Sequence, residues 1–390
     1  MQQSEQFEHI LEVLPDITRS MRDMREILLA NLIMLGEIPA PTFHEERRIN
    51  YLTDRFSESG LINTSVDEVG NGVGIMEGAG DNEDYILVVA HADTVFSDKV
   101  DHTLAVEPGR IVGPGVADNS LGLAVAASLP TLLERLDIEL EKSLVLMGAT
   151  RSLGRGNLEG LSFFLKNNQL PISAGLCVEG VQLGRLSHLS IGMLRGEITC
   201  TVPDNYNWTR FGDSSAILTM NEVINRLNDI PLPKRPRTSI VLGSIEGGSS
   251  YNVIAKNAKL QFEIRSESGD MVNDIGEHMS EAVAEVSSRT GDEVKLDIFA
   301  EREPGGIPFS HPLAYNTRKI MESLDIKPRL APSTSELSAF IDQQMPAITL
   351  GITEGDNLQE PDETVSIEPM YKGVTQLIGT LLAIDGGHCD

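Results

Sequence analysis

The stretch Tyr85-Ile-Leu-Val-Val-Ala-His91-Ala-Asp93-Thr94-Val95 decides the fold. Its continuous apolar run, rich in branched residues, is typical of a strand that is buried on both faces of a sheet. The run ends in His91, and Asp93 follows two residues later. Side chains at the carboxyl ends of parallel strands share one edge of the sheet, where such folds build their sites. His91 can therefore meet a metal ion there while Asp93 accepts the other ring N–H; the alternative is a structural histidine without a metal.

Strand and helix signals alternate on both sides of this stretch. Residues 1–60 have helical periodicity, with an amphipathic helix over 45–59. The glycine-rich turn Gly113–Gly122 leads into an apolar helix over 121–133. Further strands are expected at 64–69, 72–77, 143–149 and 174–179, the last of which ends at Glu179. This alternation predicts an α/β domain with a mostly parallel central sheet.

The pattern changes at Gly196. Two helices, one of them over 213–228, lie among strands predicted at 196–202, 238–245, 258–266 and 293–300. This β-α-β-β-α-β order is typical of a ferredoxin-like α+β domain. From Ile307 the α/β pattern returns, with a helix over 312–324, a strand over 346–351 and a helix over 369–384. We therefore predict one α/β domain formed by 1–194 and 303–390, into which 195–302 is inserted.

Composition excludes several classes of partner. The protein has 390 residues, a formal net charge of −27 and a pI of about 4.6. Such an acidic surface repels nucleic acids and anionic membranes, so neither is expected as a partner. No apolar run approaches the roughly 18 residues of a membrane span, and the polar N-terminal segment does not indicate a signal peptide. Three widely spaced cysteines give no disulfide framework, so the expected location is cytoplasmic.

Three potential metal ligands come from strand ends and turns of the predicted sheet: His91, Asp118 and Glu179. Imidazole and carboxylate groups are ligands of zinc, and a carboxylate between two ions can bridge them. Each carboxylate also has an alternative role. Asp118 can act as the N-cap of the helix that follows it, worth about 1 kcal/mol. Glu179 can form an ion pair with Arg151 or Arg155.

Several motifs follow one another in a familiar order. They are His91-Ala-Asp93-Thr94-Val95, Gly113-Pro-Gly-Val-Ala-Asp118-Asn-Ser-Leu-Gly122, Glu179, Gly247-Gly-Ser-Ser-Tyr-Asn252-Val-Ile, Pro346-Ala-Ile-Thr-Leu-Gly351 and Asn357-Leu-Gln359-Glu-Pro-Asp-Glu363-Thr-Val. Over nearly the whole chain this resembles the co-catalytic zinc peptidases and deacylases, a family that includes glutamate carboxypeptidase, acetylornithine deacetylase, succinyl-diaminopimelate desuccinylase, aminoacylase and peptidase T. The resemblance implies a phosphorylase/hydrolase-like zinc-exopeptidase domain with an inserted ferredoxin-like lid or dimerisation domain.

The resemblance also implies roles for the matching residues of the α/β domain. His91, Asp118 and Glu179 would bind one zinc ion, and Asp118 would bridge it to a second. Asp93 would orient His91.

In the inserted domain, the resemblance implies that Asn252 and Arg265 contact the substrate and its carboxylate. An ion pair between strands is the alternative role for Arg265. Tyr206 stands about where the family has a histidine that it lends to the site of a neighbouring subunit. Since the family commonly dimerises through a helix and an edge strand of this domain, we expect a homodimer that uses the helix 213–228.

The chain departs from the family where the catalytic base and the second metal ion would be. The family has two consecutive glutamates, a general base and a second-zinc ligand, where this chain has Arg151 and Ser152. A guanidinium cannot be deprotonated in proteins, so Arg151 is not expected to act as a base. Gln359 stands where a zinc-binding histidine is expected, and Glu336 stands where the family usually has aspartate.

These departures predict a family member with a degenerate metal site. We expect at most one zinc per chain, with none as the limiting case, and weak or lost hydrolysis of peptide or N-acyl amino-acid bonds. One alternative is an active amide-bond hydrolase with a single metal ion. The other is a non-catalytic binding or assembly protein. A ligand, where one binds, is expected to be a small peptide or an N-acyl amino acid.

Overall fold

The strand that ends at His91 lies at the centre of a sheet in the computed structural model, which describes residues 2–80, 84–206 and 214–389. The helices and strands up to Ser190 are α1 (Gln2–Asp23), α2 (Arg25–Gly36), α3 (Glu46–Glu58), β1 (Ile62–Val66), β2 (Gly72–Met76), β3 (Tyr85–His91), β4 (Ala105–Glu107), β5 (Arg110–Val112), α4 (Leu121–Arg135), β6 (Ser143–Ala149), α5 (Glu159–Asn167), β7 (Ile172–Val181), β8 (Leu186–Ser187) and β9 (Leu189–Ser190). Those that follow are β10 (Gly192–Thr201), α6 (Ala216–Asn228), β11 (Thr238–Gly247), β12 (Asn257–Ser266), α7 (Gly269–Thr290), β13 (Glu293–Arg302), β14 (Gly305–Gly306), α8 (Pro312–Ser323), α9 (Leu337–Asp342), β15 (Ala347–Thr353), β16 (Thr364–Ser366) and α10 (Ile367–Asp385).

The main sheet has the strand order β1-β2-β6-β3-β7-β15-β8 among the described residues. Its four central strands, from β6 to β15, run parallel, while β1, β2 and β8 pair antiparallel at the edges. Parallel strands are covered on both faces, which explains the continuous apolar sequence of β3. Because β3 and β7 run in the same direction, their carboxyl ends bring His91 and Glu179 to one edge of the sheet.

Helices cover both faces of this sheet. Along β3, residues Ile86, Val88 and Ala90 join a hydrophobic cluster that includes residues of α1, α2, α4, α8 and α10. The alternate residues Leu87 and Val89 join a second cluster, which includes residues of α5 and α9. This alternation follows from the period-two geometry of a strand. The prediction of an α/β domain with a mostly parallel sheet is therefore confirmed.

The inserted segment forms an antiparallel sheet in the order β11-β12-β10-β13, on which α6 and α7 pack. Ser215 and Ser268 cap the two helices, each accepting a hydrogen bond from the backbone N–H three residues later. The β-α-β-β-α-β order confirms the ferredoxin-like prediction. Residue 213, the predicted start of α6, lies outside the described residues.

The chain divides into two compact units, one of Met1–Ser190 with Gly306–Asp390 and the other of Ile191–Gly305. The domain boundaries predicted from the sequence, after 194 and before 303, lie a few residues inside the second unit. The change of pattern at Gly196 falls within β10, which begins at Gly192.

One apolar segment is longer than the sequence analysis allowed. Val116–Arg135 is long and apolar enough to cross a membrane by length and composition, which corrects the statement that no run approaches such a length. Most of this segment is buried inside the protein, and α4 packs within the core of the first unit.

A small sheet of β4, β5 and β16 was not predicted, because strands of three residues give almost no periodic signal. Its register pairs Thr364 with Val112. The Gly113 N–H donates to the Glu363 carbonyl, 2.9 Å away. This small sheet therefore brings Glu363 beside the turn that carries Asp118.

Candidate metal centre

His91 is almost completely buried at the end of β3. Its Nε2 lies 3.0 Å from Asp118 Oδ1, and its Nδ1 lies 3.0 Å from the carbonyl oxygen of Asp93. Burial disfavours the charged imidazole, but the negative charges of Glu336, Asp118 and Asp93 outweigh it and hold the pKa of His91 well above its usual value. The site is therefore one that attracts positive charge.

Asp93 is fully buried behind His91. Its Oδ1 lies 3.4 Å from His91 Nδ1. Its Oδ2 accepts hydrogen bonds from Thr42 Oγ1 at 2.8 Å and from the N–H groups of Ser152 and Leu153 at 3.1 and 2.8 Å. Burial alone would raise the pKa of Asp93, but its contact with His91 prevails and lowers it. An ionised carboxylate in this position suits the predicted role of orienting His91.

Asp118 lies in a non-helical turn before α4, with φ −126° and ψ 88°. The N–H groups of Ala117 and Asp118 donate to Glu363 Oε2, which fixes this turn. The N–H of Gly122, in the first turn of α4, donates to Asn119 Oδ1 at 3.1 Å. The N-cap residue of α4 is Ser120, and the side chain that accepts from the first turn is that of Asn119, so the alternative that Asp118 acts as the cap is wrong. Burial raises the pKa of Asp118, but the hydrogen bond with His91 outweighs it and lowers the pKa.

Glu179 lies near the carboxyl end of β7 and is buried. Its Oε1 accepts a hydrogen bond from Ser335 Oγ at 2.9 Å, and Arg185 Nη1 lies 3.6 Å away. Burial raises the pKa of Glu179 above its usual value. Of the two alternative partners that the sequence suggested, Arg151 donates from Nη1 to Glu159 Oε1 at 2.7 Å instead, and the prediction for Arg155 stays untested. Arg185 is a cation beside Glu179 that the sequence did not suggest.

The donor set suits a divalent metal ion. One ligand atom from each of His91, Asp118 and Glu179 can be chosen so that all three lie within 4.8 Å of one another. One imidazole nitrogen and two carboxylate oxygens form a typical ligand set for zinc. Hydrogen bonds from Ser335 to Glu179 and from two backbone groups to Glu363 hold the surrounding elements in place.

The sequence of this chain is similar to those of known peptidases and deacetylases. The family model of the M20 peptidase dimerisation domain matches residues 210–291, within the inserted segment. Acetylornithine deacetylase of Yersinia pestis is 23% identical over 318 residues, which cover 77% of this chain and 79% of that protein. The chain is therefore similar to the M20 peptidases. The family resemblance seen in the sequence is thereby confirmed.

Solved structures agree with this fold. The di-peptidase Dug1p of Saccharomyces cerevisiae superposes with a TM-score of 0.79 at 13% identity, over 95% of this chain and 98% of that chain. The YXEP protein of Bacillus subtilis, described as a dinuclear metal-binding peptidase of the M20 family, has a TM-score of 0.64 at 14% identity, over 94% and 99% of the two chains. At such identities these likenesses concern the fold alone.

Arg151 occupies the position where the resemblance predicts the general base. Its backbone has φ 53°, and its N–H donates to Glu45 Oε1 at 2.8 Å. The guanidinium pairs with Glu159 and lies 5.8 Å from the centroid of the Phe43 ring. Arg151 therefore does not supply the counter-charge to Asp118 or Glu179 that its position first suggests.

The two positions expected to hold a second metal ion offer no carboxylate or imidazole. Ser152 is buried, and its hydroxyl has no hydrogen-bond partner within the described part of the chain. Gln359 has φ 68° and an exposed side chain, and its N–H donates to Glu363 Oε1 at 2.8 Å. A hydroxyl and an exposed amide are weak replacements for the charged or imidazole ligands of zinc.

Glu363 and Arg185 lie at the site, although the sequence did not predict a role for either of them. Glu363 is buried, and burial raises its pKa to about 7 although three backbone N–H groups donate to it. Glu363 belongs to the family-like motif that begins at Asn357, so the sequence did contain a signal for it. Arg185 gave no signal, because its approach to Glu179 depends on the turn at Gly184, which has φ 86°.

The predicted substrate residues of the inserted unit have different surroundings. Asn252 is exposed and accepts a hydrogen bond from Ser250 Oγ, beside an open pocket of about 510 Å³ that Ile217 and Tyr251 also line. The ring of Tyr206 packs against the core of this unit.

Arg265 pairs with Glu263, two residues away on the same strand. Arg195, on the neighbouring strand β10, also pairs with Glu263. Arg265 therefore forms an ion pair, as the alternative role predicted. The partner lies on the same strand, β12, and not on a neighbouring strand as expected.

Proposed function

We propose that this chain is a one-metal relative of the M20 metallopeptidases in which hydrolysis of peptide or N-acyl amino-acid bonds is weak or lost. Zinc is the proposed metal, with at most one ion per chain. One observation carries the proposal. The residue at the base position is Arg151, and its guanidinium is paired with Glu159 and set against Phe43.

The proposed ligands are His91, Asp118 and Glu179. A divalent ion bound there would supply Lewis acidity toward a carbonyl oxygen. The chain itself orients these ligands. Asp93 fixes the His91 ring, and Ser335 holds Glu179 by a hydrogen bond.

The proposed loss of activity follows from the missing proton acceptor. A guanidinium stays protonated, and the Ser152 hydroxyl is not a base at neutral pH. Losing a general base costs roughly two to four orders of magnitude in rate. The absence of strong ligands at Ser152 and Gln359 removes a second Lewis acid as well.

The proposed ligand class is a small peptide or an N-acyl amino acid. Support comes from the names of related proteins, a deacetylase of an acylated amino acid and a di-peptidase. Asn252, Arg265 and Tyr206 are the proposed contacts for that ligand in the inserted unit. We also propose a homodimer, since residues 210–291 match a dimerisation domain. A cytoplasmic location fits three buried free cysteines.

The test compares the natural chain with the triple variant Arg151→Glu, Ser152→Glu, Gln359→His. A matched control carries Arg151→Gln, Ser152→Ala and Gln359→Asn. Elemental analysis of proteins purified without chelator should give at most one zinc for the natural chain and for the control. The triple variant should gain a second zinc, and its hydrolysis of dipeptides and N-acetyl amino acids should rise by about two orders of magnitude or more.

Two results would overturn this proposal. The first is two tightly held zinc ions in the natural chain. The second is rapid zinc-dependent hydrolysis by the natural chain with one ion, which would establish the alternative of an active single-metal hydrolase.

A further inference from the structure

Glu336 is a buried acidic residue that the proposed function does not use. It is 2% exposed, and its Oε1 has no hydrogen-bond partner among the residues that the structure describes. Leaving a carboxylate oxygen buried without a partner costs free energy, so such an atom calls for a ligand. Glu336 directly follows Ser335, whose hydroxyl donates to Glu179 Oε1. The backbone therefore places Glu336 beside the proposed metal ligands.

The charge of Glu336 acts on that site. Burial lowers the pKa of His91, and the largest effect that opposes burial is the charge of Glu336. Burial raises the pKa of Glu179 and of Cys177, and Glu336 raises both further.

The packing of the next residue places Glu336 on the right face of the sheet. Leu337 belongs to the same hydrophobic cluster as Val89 and Cys177, which precede His91 and Glu179 by two residues. Side chains two residues apart on a strand share a face, so α9 and the preceding Glu336 lie over the sheet face that carries His91 and Glu179.

The acidic groups around the site outnumber the nearby cation. Asp118, Glu179 and Glu336 are three carboxylates, and Asp93 behind His91 is a fourth. The Arg185 guanidinium, 3.6 Å from Glu179 Oε1, supplies one positive charge. A divalent ion would offset two of the remaining negative charges, so this group of side chains favours a bound cation.

We propose that Glu336 is a fourth protein ligand of the single metal ion, together with His91, Asp118 and Glu179. This inference rests on the proposed one-metal site and goes beyond it. The three-residue group that spans 4.8 Å does not include Glu336, so ligation requires its carboxylate to swing toward the other donors. Zinc with four protein ligands is a closed site without an open position for water or substrate. With Glu336 bound, the ion would have no position for a carbonyl oxygen, and its Lewis acidity would become available only when Glu336 leaves. Closure would therefore be a second reason for weak hydrolysis.

The test uses protein stripped with chelator and reloaded with zinc or cobalt(II). Competition with a chromophoric chelator measures affinity for the natural chain and for Glu336→Gln, which keeps size but removes charge, and Glu336→Asp, which keeps charge. Thr349→Val is the matched control. It removes a buried hydroxyl on β15, directly opposite Cys177, and leaves every proposed ligand in place. We expect Glu336→Gln to weaken metal binding by at least about tenfold, Glu336→Asp to weaken it less, and Thr349→Val to leave it unchanged.

Cobalt spectra separate a ligand from a neighbour that only supports one. The visible spectrum of the cobalt-loaded natural chain should not respond to azide, because a closed site has no free position. The spectrum of cobalt-loaded Glu336→Gln should respond, because its weaker amide ligand can be displaced. An azide response already present in the natural chain, or an unchanged affinity in Glu336→Gln, would overturn the fourth-ligand proposal alone. A natural chain that binds neither zinc nor cobalt would instead overturn the one-metal site.

Discussion

At the scale of single residues, we propose that the Asp93 carboxylate orients His91. Three hydrogen bonds to Oδ2 fix the position of the carboxylate. Its other oxygen, Oδ1, lies 3.4 Å from His91 Nδ1. We expect Asp93→Ala to weaken zinc binding by about 10–100-fold, because partners that orient a ligand have effects of that size. Competition with a chromophoric chelator measures the change, and circular dichroism checks that the variant folds.

Thr42→Val is the control for this experiment. It removes one of the three donors to Asp93 Oδ2 and leaves the carboxylate in place, so it should lose much less affinity. Equal zinc affinity in Asp93→Ala and the natural chain would contradict an orienting role for Asp93.

The candidate ligands could be found in the sequence because each follows a strong local pattern. His91 ends an apolar strand, Asp118 lies in a glycine-rich turn, and Glu179 lies near the end of another strand. Arg185 could not be found in this way, and the resemblance marked Glu336 only as a departure from the family, without a role. The first reaches the site through a turn at Gly184, and the second is buried through tertiary packing, which no local pattern reports.

At the scale of elements, the sheet of the inserted unit contains a charge cluster centred on Glu263. This glutamate is buried on β12, where Arg195 and Arg265 pair with it. Burial raises the pKa of Glu263, but the two arginines outweigh it and lower the pKa below its usual value. A carboxyl with a lowered folded-state pKa stabilises the protein above its unfolded pKa, and this contribution is lost as the pH falls through the folded pKa.

We therefore expect Glu263→Gln to lower the free energy of unfolding by about 1–2 kcal/mol at pH 7, a modest figure because both arginines keep some exposure to water. The difference from the natural chain should shrink as the pH falls below 4, since both proteins then carry a neutral side chain there. Urea unfolding at several pH values measures it. Glu301→Gln, at an exposed site on β13, should show no such pH-dependent difference. A difference that stays constant between pH 7 and 3 would contradict this assignment.

The sequence predicted elements best where they are long. The strand over 143–149 coincides with β6, and the predicted amphipathic helix over 45–59 is α3, Glu46–Glu58. Apolar residues at helical spacing, such as Ile49, Leu52 and Phe56, give a strong signal. The short strands β4, β5 and β16 were missed because their pairing depends on partners distant in sequence.

At the scale of the whole molecule, the change of pattern at Gly196 predicted an inserted ferredoxin-like segment. The order of strands and helices could be predicted because each element has its own periodic pattern in the sequence. Which surface of that segment stays apolar could not be predicted, since exposure depends on tertiary packing. The structure leaves Leu218 on α6 and Val241 and Ile245 on β11 exposed. Among the described strands of its sheet, β11 is an edge strand, so one side of its backbone is available for pairing.

An edge strand with exposed apolar residues, within a segment that matches a dimerisation domain, favours a two-fold symmetric homodimer. We expect light scattering to give twice the chain mass of 42.5 kDa at micromolar concentration. Ile245→Lys should shift the protein toward monomer, because it places a charge on an apolar face that is 57% exposed in the single chain. Val106→Lys is the matched control, since Val106 is 51% exposed on β4, outside the dimerisation match, and its variant should keep the mass of the dimer. A natural chain that remains at 42.5 kDa, or a Val106→Lys variant that dissociates as readily as Ile245→Lys, would contradict assembly through β11.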